Sequence, residues 1–158
     1  MKFLQFVLYK ENMDTGGAVN QIQKRSSNSN KKLRIGYAGM KDKRGITSQF
    51  ITVPANTPIR SLCSWNEPGR GGGHTTKAGV SVVRVGNFEY TDTEMRLGSL
   101  RGNRFDVALR NVRYPGHDKA STQALLEKAA LALRQGGFIN YFGTQRFGKY
   151  HDTHLTGV

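Results

Sequence analysis

Carboxylates are outnumbered by basic side chains in this sequence, which has 11 Asp and Glu against 24 Lys and Arg. Asp42 stands apart from the other acids, because residues 15–41 before it hold six basic side chains and no acid. Lys41, Lys43 and Arg44 flank it. This field stabilises an ionised carboxylate, which suits a nucleophile or an electrostatic stabiliser better than a general acid. The alternative is an acid that only offsets crowded cations in a loop, since ion-pair networks perturb carboxylates in the same way.

Other arrangements of reactive residues carry weaker signals. Gly39 and Gly45 enclose five residues, whereas a phosphate-binding P-loop needs four, followed by Lys and then Ser or Thr. His151 and His154 stand three apart, but the sequence supplies no convincing further ligands, so we predict no metal site. Cys63 is better explained as a small apolar side chain than as a nucleophile.

Aromatic and basic side chains are interleaved in two stretches. The first spans residues 138–148 and the second, smaller one is Asn103-Arg104-Phe105. Nucleic acid bases stack on aromatic rings for roughly 1–3 kcal/mol each, while Lys and Arg contact phosphates. The alternative is that most of these rings pack in a hydrophobic core. The first stretch holds the rings of Phe138, Tyr141, Phe142 and Phe147 together with Asn140 and Arg146.

Length and charge narrow the class of protein. A chain of 158 residues suggests one domain, and a net charge of +13 favours a polyanionic partner, nucleic acid ahead of a membrane surface. No apolar run approaches the roughly 20 residues of a membrane span. The apolar run in the first twelve residues is too short for a signal peptide, because charged residues follow it at once. The single cysteine excludes a disulfide framework. It fits an intracellular location, with nucleus and cytoplasm left open.

The elements that must position these residues follow from the hydrophobic pattern. Few of the predicted strands alternate with helices, so the sequence predicts an α+β fold. Asp14 can cap the first helix, and Asp118 and Gly136-Gly137 bound the longest one. Residues 64–77 are glycine-rich and predict a flexible surface insertion outside the core. The predicted strands are 3–9, 33–37, 48–53, 79–85 continuing after a bend at 87–90, and 105–112, and the predicted helices are 18–25, 57–63 and 119–135.

Three motifs together resemble one known family. Residues 37–49, YAGMKDKRGITSQ, resemble the signature of the TruD family of RNA pseudouridine synthases, a G-x-K-D loop followed by Thr and Gln. Residues 97–105 resemble its second motif and residues 137–148 its third, in the family's order. Residues 9–15, YKENMDT, match the eukaryotic branch in particular. The family usually has Ala where this chain has Gly45.

The resemblance implies a fold and an activity. The implied fold is a pseudouridine-synthase-like α+β domain with a mixed, largely antiparallel sheet and flanking helices. The implied enzyme is an isomerase, an intramolecular transferase, that detaches uracil from ribose, rotates it and reattaches it through carbon 5. It needs no cofactor and no metal, and its partner is RNA, with tRNA as the leading substrate and no membrane involved.

The resemblance also assigns roles to individual residues. Asp42 is the catalytic residue, acting as a nucleophile or as the base of a glycal route. Phe105 would pack on a flipped uracil, and Asn103 would help to hold the catalytic loop or the base. The third motif would shape the same cleft. The expected substrate-binding residues are Lys41, Asn103, Phe105, Asn140 and Arg146.

The resemblance finally bears on extent. We expect residues 1–158 to form the N-terminal portion of a TruD-like catalytic domain, with the family's insertion domain and C-terminal half absent. The remainder of a longer chain would be needed to complete the sheet, and a segment before Phe3 would supply a basic partner for the catalytic acid. An incomplete sheet would expose an edge and apolar surface. The alternative function is a truncated RNA-binding fragment without catalysis.

Overall fold

The structure of the protein is a computed structural model that describes residues 1–26, 32–67, 74–76 and 79–138. The chain divides into two compact units, Met1–Arg104 and Phe105–Val158. The first unit holds all the strands of the described residues. The described part of the second unit holds one long helix.

The first unit is built on a five-stranded sheet. Its strands are β1 Phe3–Glu11, β2 Gly36–Tyr37, β3 Ile46–Pro54, β4 His74–Thr76 and β5 Gly79–Thr91. They lie in the order β2-β3-β1-β5-β4, and every pairing is antiparallel. The predicted α+β class with a largely antiparallel sheet is therefore confirmed. The strand predicted at 33–37 is shorter than expected, because only its last two residues pair with β3.

Helices cover one face of this sheet. Helix α1, Thr15–Ser26, follows β1, and the short helix α2, Ile59–Cys63, runs into a 3-10 turn at Ser64–Asn66. The predicted cap at Asp14 is confirmed, since its Oδ1 accepts a 2.7 Å hydrogen bond from the Gly17 backbone N–H. The core lies between these helices and the sheet, and its buried apolar residues are Leu4, Phe6, Leu8, Met13, Ala18, Ile22, Ile51, Val53, Leu62, Trp65, Val83 and Val85.

The central strand β1 shows strict period-two burial. Leu4, Phe6, Leu8 and Lys10 are all buried, while the residues between them are partly exposed. Alternate side chains of a strand point to opposite faces, so Lys10 occupies the core face together with three apolar residues. The opposite face carries exposed apolar side chains, including Phe50, which is 51% exposed.

A β-bulge produces the bend that the sequence predicts in β5. Gln5 pairs with Glu89, but Val7 pairs with Gly86, so two residues of β5 lie opposite Phe6 alone. One of them, Asn87, has φ 54°. The other, Phe88, packs its ring 5.7 Å from the ring of Phe6. The bulge therefore turns β5 without losing its contact with the core.

The predicted surface insertion at 64–77 is wrong at its first residues. Trp65 is 0% exposed and belongs to the hydrophobic core. The glycine-rich composition hides this large apolar side chain, whose burial removes a large apolar surface from water. Asn66 adds to the attachment, because its side chain donates to the Val85 carbonyl at 2.7 Å and accepts from the Val85 N–H at 3.0 Å.

The strand predicted at 105–112 is also wrong, since these residues form neither strand nor helix. Their alternating apolar side chains, Phe105, Val107 and Leu109, are exposed. Alternation predicts a strand only where a neighbouring strand can complete the hydrogen bonds, and the described part of the second unit contains none.

Helix α3, Lys119–Gly136, confirms the predicted long helix of the second unit. Asp118 is its N-cap and accepts a 2.8 Å hydrogen bond from the Ser121 N–H. Gly137 ends it with φ 68°, a left-handed conformation that glycine adopts without a steric penalty.

Candidate active site

Residues 38–45 form the loop between β2 and β3 that carries Asp42. Three hydrogen bonds hold the first part of this loop. The Lys41 backbone N–H donates to Thr15 Oγ1 at 2.9 Å, and that hydroxyl donates to Gln49 Oε1 at 3.0 Å. The Gln49 amide in turn donates to the Gly39 carbonyl at 3.3 Å. The start of α1 and the strand after the loop therefore anchor its residues 39–41.

A buried lysine holds the centre of the loop. Lys10 is only 1% exposed, and its Nζ donates to the Asp42 carbonyl at 2.7 Å and to the Lys41 carbonyl at 3.4 Å. Burial lowers the pKa of the Lys10 ammonium, and the charge of Lys41 acts in the same direction. The carboxylates of Asp14 and Asp42 oppose this shift. Lys10 thus links β1 to the peptide groups on both sides of the Asp42 Cα.

Asp42 itself lies on the surface of the loop. Its side chain is exposed, as are those of Lys43 and Arg44. Gly45 ends the loop with φ 136°, a conformation that L side chains rarely adopt. The glycine at this position therefore matches the backbone of the loop, and its carbonyl accepts from the Asn12 N–H at 3.4 Å.

The second motif lies beside this loop. The Gly98 N–H donates to the Ala38 carbonyl at 2.8 Å. At the other end of the motif, the Lys41 ammonium donates to Asn103 Oδ1. Asp42 therefore follows directly after a residue that is tied to a segment about sixty residues further along the chain.

Comparison with known proteins identifies this arrangement. The chain matches the family described as tRNA pseudouridine synthase D (TruD) over residues 1–158. The chain belongs to the TruD family. It is 38% identical over 151 residues to the pseudouridylate synthase 7 homolog of Mus musculus, a match that covers 92% of this chain and 19% of that protein. It is 34% identical over 158 residues to multisubstrate pseudouridine synthase 7 of Schizosaccharomyces pombe, covering 99% and 21%.

A solved TruD structure has a similar fold. The crystal structure of a TruD protein from Methanosarcina mazei matches with a TM-score of 0.67 and 32% identity, over 99% of this chain and 32% of that one. The chain thus spans about a fifth of the length of the eukaryotic relatives and about a third of the archaeal protein.

The structure brings together some of the site residues predicted from the TruD resemblance. Lys41, Asp42 and Asn103 lie in one cluster within the first unit. Phe105 begins the second unit and is 73% exposed. Asn140 and Arg146 lie outside the described residues, so their roles stay predictions. The histidines at 151 and 154 lie outside them as well.

Sequence reasoning missed the residues that hold the loop. Lys10, Thr15 and Gln49 make its anchoring hydrogen bonds, although none of them is a predicted site residue. A signal for Lys10 is present in the sequence. It continues the period-two pattern of Leu4, Phe6 and Leu8, and a lysine at the buried position of a strand needs a polar partner in the core.

The described part of the chain holds neither a metal-binding cluster nor a membrane-spanning helix. Within residues 1–26, 32–67, 74–76 and 79–138, no three His, Cys, Asp or Glu side chains group closely enough to hold a metal ion. Among these residues, no helix has the length and apolar character needed to cross a membrane.

Proposed function

We propose that the protein carrying this chain is an RNA pseudouridine synthase, an isomerase that converts specific uridines to pseudouridine. The observation that carries this proposal is the cluster formed by the G-x-K-D loop and the second motif, joined through Lys41 and Asn103. The names of the relatives, pseudouridylate synthase 7 and tRNA pseudouridine synthase D, support the same reaction. We propose tRNA as the principal substrate and other RNAs as further substrates.

The isomerisation of uridine to pseudouridine requires one ionised carboxylate and no cofactor. The bond between ribose C1′ and uracil N1 breaks, the base rotates, and a bond forms between C1′ and C5. The hydrogen on C5 leaves as a proton and N1 gains one, so the reaction involves no net oxidation. In this proposal Asp42 attacks as a nucleophile or removes a proton as a base.

The remaining roles concern the RNA. Phe105 is proposed to stack on a uracil taken out of its helix, which offsets part of an unstacking cost of a few kcal/mol. Lys41 and Asn103 would contact the nucleotide beside Asp42, and Asn140 and Arg146 would complete the site from the third motif. The net charge of +13 would bind the RNA backbone, so affinity should fall steeply with salt. Residues 1–158 are proposed to form the N-terminal portion of the catalytic domain.

Replacing Asp42 by Asn in the full-length protein tests this function. The measurement is tritium release from RNA that contains 5-tritiated uridine. The wild-type protein should release tritium, and Asp42→Asn should reduce the rate by about 10²-fold or more, since acid–base groups alone contribute about 10²–10⁴-fold.

The matched control is Asp92→Asn, which changes the same group at another exposed residue. It should retain the wild-type rate. Substantial turnover by Asp42→Asn would overturn the role of Asp42. Tight, salt-sensitive RNA binding by the wild-type protein without any pseudouridine would instead favour a non-catalytic RNA-binding module.

A further inference from the structure

We propose that Lys10 is a positioning residue for Asp42, whose buried ammonium sets the direction in which the Asp42 side chain leaves the loop. This inference rests on the proposed function, because it concerns the aim of the catalytic carboxylate. Lys10 does not act on the substrate in this proposal. It acts through the backbone of residues 41 and 42.

The geometry of the two hydrogen bonds carries the proposal. The Lys41 carbonyl belongs to the peptide group on the N-terminal side of the Asp42 Cα, and the Asp42 carbonyl belongs to the one on its C-terminal side. Both accept from the same Nζ, at 3.4 Å and 2.7 Å. Each peptide group is planar, so only φ and ψ remain free at each residue. Holding both carbonyl oxygens therefore restricts φ and ψ of Asp42, and with them the direction of its Cα–Cβ bond.

The support for this ammonium comes from the middle of the sheet. Lys10 lies in the central strand, where its Cα pairs with Thr47 of β3 and Val83 of β5. A flexible surface lysine could not hold a loop in this way, because it would lose side-chain entropy on doing so. Lys10 has lost that entropy already by its burial, so its donors are organised in advance.

The cost of the buried charge argues against a packing role. An apolar side chain would fill this position of the core without the penalty of taking an ammonium out of water. That penalty is visible as the lowered pKa of Lys10, which the carboxylates of Asp14 and Asp42 offset in part. A charge placed at such a cost, with its donors directed at two carbonyls of one loop, indicates a role in ordering that loop.

A second contact extends the same arrangement by one peptide group. The Lys41 N–H, part of the peptide group before Lys41, donates to the buried hydroxyl of Thr15. Three consecutive peptide groups that lead through Asp42 are thus held from β1 and the start of α1. Asp14 belongs to the same region, since it caps α1 and lies close enough to Lys10 to affect its charge.

The test replaces Lys10 by Met in the full-length protein and measures single turnover at saturating RNA. A displacement of about 1 Å can cost about 10²-fold in rate, so we expect the rate constant to fall at least about tenfold while the Kd for RNA changes little. A purely structural role would lower the fraction of active protein, and hence the amplitude, without changing the rate constant.

Hydrogen exchange supplies a readout that does not depend on activity. In Lys10→Met, backbone amides of residues 39–45 should exchange faster, while those of α1 keep their wild-type rates. If Lys10→Met does not fold, Lys10→Gln replaces it, because its polar head is one bond shorter than lysine and cannot reach both carbonyls. The matched control is Lys2→Met, which removes the same charge from an exposed residue just before β1 and should behave as the wild type.

The outcomes separate the two proposals. A wild-type protein that forms no pseudouridine, with faster loop exchange in the Lys10 variant, would end the proposed function and support the positioning of the loop. An active wild type with an unchanged rate constant in a folded Lys10 variant would overturn the role of Lys10. Unchanged loop exchange in that variant would overturn it as well.

Discussion

The Lys41 ammonium donates a hydrogen bond to the side-chain oxygen of Asn103, although 62 residues separate them in the chain. Lys41 belongs to the loop that carries Asp42, and Asn103 belongs to the second family motif. The contact therefore joins two motifs that composition and spacing present as separate features. Both residues are exposed or partly exposed, so the contact contributes more to the arrangement of the site than to the stability of the fold.

A double-mutant cycle on this contact should show coupling. Lys41→Met and Asn103→Ala should each lower the single-turnover rate, and the double variant should lose less than the product of the two effects. Residues in direct contact show coupling energies of about 0.5–3 kcal/mol. Asn56→Ala, an exposed residue of the turn after β3, is the control partner and should combine additively with Lys41→Met. Additive losses in Lys41→Met/Asn103→Ala would contradict the contact.

Gly36→Ala should loosen the edge of the sheet. A Cβ at this position would clash with the Met95 carbonyl oxygen and lie 2.6 Å from Thr52 Oγ1, so the backbone must shift. Overpacking of this kind costs about 1–3 kcal/mol. The shift should also weaken the 3.0 Å hydrogen bond from the Met95 N–H to Thr52 Oγ1, which amide hydrogen exchange can follow.

Gly86→Ala is the matched control for this change. An added Cβ at Gly86 meets nothing within 4 Å, so the variant should stay within about 0.5 kcal/mol of the wild type. Equal amide exchange rates at Met95 in the two variants would show that the added Cβ at residue 36 does not shift the backbone, and would contradict the prediction.

Trp65→Ala should strongly destabilise the first unit. The side chain is fully buried, and the 3-10 turn that carries it packs against β5 and α2. Truncating a buried aromatic residue costs about 3–5 kcal/mol. Phe50→Ala removes a ring from the exposed face of the sheet and should cost much less. Chemical denaturation, monitored by hydrogen exchange of the β5 amides, measures the loss of unfolding free energy in both variants. A loss for Trp65→Ala no larger than that for Phe50→Ala would contradict the burial of Trp65.

Tyr9 should titrate at a higher pH than an ordinary tyrosine. Its hydroxyl donates a 2.5 Å hydrogen bond to Glu11 Oε1, which, with burial and the charge of Glu11, raises the pKa of Tyr9 above 10.0. Because the folded-state pKa is raised, this contribution to stability is present below pH 10 and is lost as the pH rises through the folded-state pKa. Glu11→Gln should bring the Tyr9 pKa back towards 10.0.

NMR of the Tyr9 ring carbon, assigned with Tyr9→Phe, measures this pKa. Glu89→Gln is the matched control, because Glu89 pairs across the sheet with Gln5 and not with Tyr9. The hydrogen bond would be refuted by a Tyr9 pKa that is the same in wild type and Glu11→Gln.

The start of α3 should unravel in acid. Hydrogen bonds from the Ser121 side chain and backbone lower the pKa of the Asp118 carboxyl below 3.8. Because the folded-state pKa is lowered, the stabilisation by this cap is present above pH 3.8 and is lost as the pH falls through the folded-state pKa. Backbone carbon chemical shifts of residues 119–122 should follow this loss. Asp118→Asn, which still offers an acceptor, should remove the pH dependence, and a variant that titrates like the wild type would contradict the assignment.

Local rules account for several elements that the structure confirms. Contacts within a few residues form the helix caps at Asp14 and Asp118 and the helix end at Gly137. The neighbouring residues are therefore sufficient to predict these features. The bend in β5 was predicted for the same reason. The family motif around Asp42 could also be found from sequence, since its residues are nearly contiguous.

Two sequence-based predictions were wrong because they depended on residues that are distant in the chain. The pattern at 105–112 alternates correctly but has no strand beside it in the described part of the second unit. Trp65 stands next to a glycine-rich segment, and only its place against β5 and α2 shows that it belongs to the core. In both places the structure depends on whether residues far away in the chain supply contacts, and a local pattern does not contain that information.

The sequence by itself determined the α+β class, the basic character and the loop that presents Asp42. It did so because propensity, charge and motif spacing are properties of neighbouring residues. Only the tertiary structure decided what holds that loop. The period-two pattern places Lys10 on the buried face of its strand, but only folding brings its ammonium to the two carbonyls that flank the Asp42 Cα. Pairing of β1 with β3 and β5 creates that position, and these pairings join residues far apart in the chain.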